Sequence, residues 1–303
     1  MQGVLTRIGS GALALVVIVA LAACGSSDKD KKSGSTASSS GSTTSQSGSS
    51  AGNTLTVSIA EQGKAAKYTL PKTAKGGLTT VKFTNDGKRP HEAQLLLVKG
   101  NHTAQDVGKV FSDQNSTDKA EWLRTRGGVG SVAPGQTGTA IVTLEPGHYL
   151  VADASQDGPP AFAELTVTAG ENGSLPSTET KVTAAEAGKD KWRWDISGPL
   201  KTGTQDVTFK SEGKEAIHFL GAVQLKPGAD EKQVLKSLGS KETEKFVDGS
   251  TFTTSAILDG GKSQVMQFTL AKPGRWLLFC PLTDRGEKQE HDKQGLAKVV
   301  TIK

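Results

Sequence analysis

The chain has 303 residues, 35% of them hydrophobic and only 5% aromatic, with a formal net charge of +5. Its lysines and arginines are scattered among acidic residues, so it lacks the basic, aromatic-laced stripe of a nucleic-acid-binding protein. Two cysteines, Cys24 and Cys280, are too few for a disulfide framework.

The N-terminus reads as an export leader, residues 1–23. Arg7 supplies the positive end, and "GALALVVIVALAA" at 11–23 is an apolar run too short to span a membrane comfortably. It ends in "LAAC", Leu21 to Cys24. This resembles the bacterial lipobox, in which the cysteine is acylated on sulfur and becomes the new N-terminus. The resemblance implies lipidation at Cys24 and a protein held to a cell membrane on its extracytoplasmic face. The alternative is an ordinary signal peptide with an unrelated cysteine. Residues 24–53 then form a Ser/Gly-rich stretch with no large apolar side chain. Such a segment cannot bury enough surface to offset its ordering entropy and is expected to be a disordered tether, about 30 Å in mean reach. If Cys24 is lipidated, Cys280 has no intrachain partner.

The remainder repeats itself. "TLTVSIAEQGKAAKYTL" is answered by "TKVTAAEAGKDKWRWDI", "VKFTNDGK" by "VTFKSEGK", and "PGHYLVAD" by "PGRWLLFC". His91 and His218 each open an apolar run, "TAQDVGKVFS" and "DEKQVLKSLGS" each read as a helix-like or irregular stretch, and "FAELTV" and "LAKVVTI" each close a copy. Apolar residues alternate with polar ones at period two between Gly, Pro and Asn turns, the pattern of antiparallel sheets. Two β-sandwich domains are predicted, residues 54–169 and 178–303, joined by a turn-rich linker at 170–177.

The second copy places His218 early, then "PGRWLLFC" with Cys280, then His291. This order resembles the cupredoxin (plastocyanin-like) family. The resemblance implies an all-β protein of two tandem cupredoxin-like Greek-key domains, with copper as cofactor and His218, Cys280 and His291 as its ligands. It also implies electron transfer or copper handling outside the membrane and a redox partner protein. Two imidazoles and one thiolate suit copper because the soft thiolate donates charge while the imidazoles bind both oxidation states. The sequence departs from the family at the axial position, where Leu296 stands in place of a methionine and cannot coordinate. Zinc on the same three ligands is a variant of this reading.

Each residue also has a plainer explanation. His218 could be a satisfied strand histidine, Cys280 a buried small hydrophobe, and His291, in the charged run "DRGEKQEHDKQG", a solvent-exposed one. The alternative function is accordingly a metal-free β-sandwich lipoprotein of the cell envelope, a binding or structural module. The first copy has Asp153 where Cys280 falls and no histidine in the following loop, so it is expected to hold no copper and to act as a spacer or partner surface. His102 and His148 match no ligand position. "HEAQL" at 91–95 lacks the second histidine of a zinc protease, and "GGVGSVAPG" at 127–135 lacks a phosphate-clamping Lys-Ser/Thr. With no nucleophile elbow outside the leader either, the chain is expected not to be an enzyme.

Overall fold

The computed structural model describes residues 52–63, 65–112, 120–153, 160–285 and 287–303. The leader, Cys24 and nearly all of the tether lie outside the described residues. Among the described residues no helix is long and apolar enough to cross a membrane.

Alternation becomes sheet as expected. In β1 (Asn53–Gln62), Leu55, Val57 and Ile59 are buried while Thr54 and Thr56 face solvent. Pairing then lets backbone groups satisfy one another while one face of each strand turns to the core. β2 (Ala65–Thr69), β3 (Thr73–Lys75), β4 (Gly77–Asn85) and β5 (His91–Val98) follow. Helix α1 (Ala104–Ser112) comes next, then β6 (Leu123–Val132), β7 (Thr137–Leu144), β8 (Gly147–Asp153) and β9 (Ala161–Thr168).

The second half has β10 (Thr180–Gly188), β11 (Lys191–Ser197), β12 (Gly203–Ser211), β13 (Ile217–His218) and β14 (Gly221–Leu225). It continues with helix α2 (Glu231–Ser237), β15 (Val247–Thr254), β16 (Leu258–Asp259), β17 (Ser263–Leu270), β18 (Gly274–Phe279) and β19 (Ala297–Ile302). Both of the stretches read as helix-like or irregular form helices, and both start on a side-chain cap. Thr103 Oγ1 accepts from the Asp106 amide and Asp106 returns the bond to the Thr103 amide, a reciprocal box. Asp230 accepts from the Gln233 amide at 3.0 Å.

The repeat is visible in the pairing. β1 runs antiparallel to β2 and parallel to β4, and β4 runs antiparallel to β7. In the second half β10 runs antiparallel to β11 and parallel to β12, and β12 runs antiparallel to β17. In the facing layer β5–β8–β9 is matched by β14–β18–β19. The result is an all-β sandwich built twice from one pattern.

The halves are not separate in packing. β17 pairs with β7 through Val265–Ile141 and Met266–Ala140, so one eight-stranded sheet crosses the molecule in the order β11-β10-β12-β17-β7-β4-β1-β2. β16 meets β6 at Leu258–Arg126. One apolar core accordingly contains Leu55, Phe83 and Tyr149 from the first half with Phe209, Phe268 and Trp276 from the second.

Candidate metal centre

Three chain segments converge at one end of the second half. β13 delivers His218, the residue after β18 is Cys280, and the turn before β19 carries His291. All three are fully buried. The burial of His291 settles a choice the charged sequence around it left open. The chain from Cys280 folds back, so that the His291 amide bonds the Leu282 carbonyl at 2.8 Å and the Cys280 amide bonds the Leu296 carbonyl at 3.0 Å.

Gly295 makes this closure possible. Its φ is +118°, and a Cβ there would stand 2.1 Å from the Trp192 carbonyl oxygen, where only glycine fits. The neighbouring Gln294 carbonyl accepts from the Trp192 amide at 2.9 Å, which seats the turn on β11. The Trp192 indole then walls the site, edge-on to His218 at 4.4 Å and tilted against His291 at 5.4 Å.

His291 Nδ1 lies 3.8 Å from Cys280 Sγ, and the His218 and His291 ring centres are 4.5 Å apart. The predicted residues thus adjoin pair by pair, but among the described residues His218, Cys280 and His291 do not form a set whose donor atoms all lie within 4.8 Å of one another. Burial pushes the Cys280 thiol up to about 12, against the backbone amides of Phe219 and Leu282, which favour its thiolate. A metal ion would displace that proton outright. Burial, followed by the adjacent His291, holds His218 well below its ordinary value of 6.5 and so in the neutral form that ligates metals.

The fit to a metal rests on one atom. His218 Nδ1 is engaged by the Ser211 hydroxyl at 3.0 Å, while its Nε2 is buried without a hydrogen-bond partner. A buried orphan nitrogen costs on the order of 1–3 kcal/mol unless something occupies it. Leu296, also fully buried, presents no donor atom.

One functional residue was missed. Asp284 Oδ1 lies 3.0 Å from His291 Nε2. A carboxylate only accepts, so the shared proton sits on Nε2 and the Nδ1 lone pair faces Cys280. Among the described residues, His218, Asp284 and His291 form the one group of three metal-ligating side chains whose donor atoms all lie within 4.8 Å of one another. Nothing in "LTDRGEK" distinguishes Asp284 from its charged neighbours; only the fold-back of the loop does.

The equivalent place in the first half is filled differently. His91, the counterpart of His218, is buried with Nδ1 2.6 Å from Asp153, the counterpart of Cys280, and Nε2 3.1 Å from Glu61. Both nitrogens that could ligate are bound to carboxylates. His148 lies in β8, and His102 stacks on Trp122 at 3.9 Å.

No protein-family model matches the chain, and no curated protein matches it. Among solved structures, a multicopper oxidase is 14% identical, covering 82% of this chain and 88% of its own, at a TM-score of 0.24. Auracyanin B is 16% identical over 41% of this chain and 86% of its own, at 0.28. A copper-containing nitrite reductase from Thermus scotoductus is 12% identical over 82% of this chain and 61% of its own, at 0.23. These neighbours are cupredoxins, the family the sequence resembles, and copper is the metal two of them are named for. At such TM-scores they carry no argument about the site, which stands on its own geometry. The expectation that the chain is not an enzyme is withdrawn, because the neighbours covering 82% of it include an oxidase and a reductase.

Proposed function

We propose that this chain is a copper-binding redox protein of the cupredoxin kind, with mononuclear copper held by His218, Cys280 and His291. The observation that carries the reading is the unpartnered, buried Nε2 of His218 beside a histidine that itself touches the only thiol of the described residues. Bound copper would supply one-electron chemistry. The protein's own part is to hold two imidazoles and a thiol in a dry, rigid pocket so that little rearranges when the charge changes. Asp284 orients His291, Ser211 orients His218, Trp192 excludes water, and Leu296 adds no donor atom. Electron transfer to or from a redox partner protein is the proposed role.

The cellular setting belongs to the same proposal. The "LAAC" ending and the Ser/Gly-rich stretch after it support a lipoprotein anchored through Cys24 at the extracytoplasmic face of a membrane. The recurrent strand pairing supports two cupredoxin-like Greek-key units, 54–169 and 178–303, of which the second carries the metal. The test is a titration of the full chain with cupric ion under non-reducing conditions, beside Cys280→Ser. An intense visible thiolate-to-copper band saturating at one equivalent, and absent in the variant, is expected. No band in the unsubstituted protein sinks the copper assignment.

A further inference from the structure

His291 offers a different nitrogen to each of two neighbours: Nδ1 to Cys280 Sγ at 3.8 Å, and Nε2 to Asp284 Oδ1 at 3.0 Å. Only one of these nitrogens carries a lone pair in a neutral imidazole. With the proton on Nε2, the lone pair faces sulfur and the donor set is two nitrogens and a thiolate. With the proton on Nδ1, the lone pair faces the carboxylate and the donor set becomes two nitrogens and an oxygen. We propose that His218, Asp284 and His291 form this second coordination mode, an oxygen-containing site that takes a borderline divalent ion such as Zn²⁺ without Cys280.

The distances suit it. Zinc bonds to imidazole nitrogen and carboxylate oxygen are about 2.0–2.2 Å long, so two donors of one ion lie between about 2.8 Å and 3.8 Å apart at angles of about 90–120°. The Asp284–His291 separation already falls in that range. The full set lies within 4.8 Å, so a closure of about an ångström collects it. Asp284 is the one member with solvent access, its side chain 25% exposed against none for His291. It therefore opens a route for ion entry and for a water in the fourth position, which a three-ligand zinc site keeps open. The unpartnered Nε2 of His218 supplies the third donor.

The proton balance closes without loss to solvent. An ion entering between Asp284 and His291 displaces the Nε2 proton, which reappears on Nδ1 and is accepted there by the Cys280 sulfur. The thiol keeps its own proton, consistent with its deep burial. The two modes exclude each other because they compete for one imidazole. Soft cuprous ion selects the thiolate mode, and harder or borderline divalent ions select the carboxylate mode.

This inference shares His218 and His291 with the proposed copper site but does not depend on Cys280, and the experiment separates the two. Cobalt(II) is titrated into the full chain, the Cys280→Ser variant, and Cys280→Ser carrying Asp284→Asn, with Zn²⁺ as competitor and circular dichroism as the check on folding. Cys280→Ala, which suits the apolar pocket, replaces the serine variant should that one unfold. The expected result is visible d–d absorption of low-coordinate cobalt in Cys280→Ser, no thiolate charge-transfer band, displacement by Zn²⁺, and an affinity at least about 10-fold weaker once Asp284→Asn is added. Loss of cobalt binding in the folded Cys280 variants, or unchanged affinity in the double variant, overturns the proposal. An unsubstituted protein without a copper–thiolate band, beside a Cys280→Ser variant that binds cobalt, would sink the copper assignment and leave this one standing.

Discussion

At the scale of single residues, the two halves solve one problem in two ways. Each buries a histidine at the same point of the sandwich, and a buried imidazole needs partners for its nitrogens. In the second half one partner is left open at His218. In the first, His91 is held between Asp153 and Glu61. Burial works against a charged His91, but the two carboxylates outweigh it and raise His91 above its ordinary 6.5. Glu61 moves the other way: partial burial raises it, but the Lys88 amide, His91 and Arg89 outweigh that and lower it from 4.5 to about 2. The stability His91 contributes is complete below pH 6.5 and is lost as pH rises through its raised value; that of Glu61 is complete above 4.5 and is lost as pH falls through about 2. Denaturant unfolding should therefore give lower stability at pH 9 than at pH 5.5. His91→Gln should remove most of that difference and destabilise the protein by about 3 kcal/mol at pH 5.5. A variant with the parent's pH profile would show that the ion pair is not what the pH acts on.

Among structural elements, the turn of residues 291–295 matters most, because it joins a ligand to the scaffold. The Leu296 amide and the Gln294 amide both bond the His291 carbonyl, at 2.8 and 3.1 Å. Displacing Gly295 therefore displaces His291. Gly295→Ala puts a methyl carbon against the Trp192 carbonyl and holds a non-glycine residue at positive φ, which together cost on the order of 2–4 kcal/mol. The expected outcome is a lower melting temperature together with metal affinity reduced at least about 10-fold. Unchanged metal affinity in a folded Gly295→Ala protein would mean that the turn does not position the histidine. Much at this scale was legible in the sequence. Strand alternation and "PGRW" against "PGHY" placed the strands, and the order His218, Cys280, His291 picked out three residues that adjoin pair by pair in the fold. Asp284 was not legible, because a loop carboxylate acquires its role from a fold-back that leaves no period and no motif. Nor was the burial of His291, since six charged residues lie between Asp284 and Asp292 inclusive and local polarity normally signals exposure.

For the whole molecule, the sequence suggested two sandwiches and a linker, while the structure joins them through a continuous sheet and a polar seam. Strand edges carry no sequence record of what they will pair with, since backbone groups make those bonds. The seam itself is specific. Asp259 accepts from the Thr125 amide and hydroxyl at 3.0 and 2.6 Å, from Arg126 at 2.9 Å and from Arg285 at 2.6 Å. Gln94 accepts from the Ile257 amide at 2.6 Å, and Gln264 accepts from the Gly128 amide at 3.0 Å. Arg285 follows Asp284 directly in the chain and also reaches the Leu123 carbonyl, so the loop that carries Asp284 is tied to the first half. Burial pushes the Asp259 carboxyl up, but Arg285 and Thr125 outweigh it and hold it below its ordinary 3.8, so its contribution is present above pH 3.8 and is lost as pH falls through the lowered value. Asp259→Ala leaves Arg285 buried without its anion, a loss of about 3–5 kcal/mol. Because the bonds to Thr125 and Arg126 span the halves, part of the cost should fall on their coupling. Calorimetry should show one transition for the parent protein and two for the variant, the loop-bearing second half melting first, with weaker cobalt binding although Asp259 is not in the donor set. A single transition merely moved to lower temperature, with metal affinity intact, would mean that the shared sheet alone couples the halves and that the first half has no hold on the site.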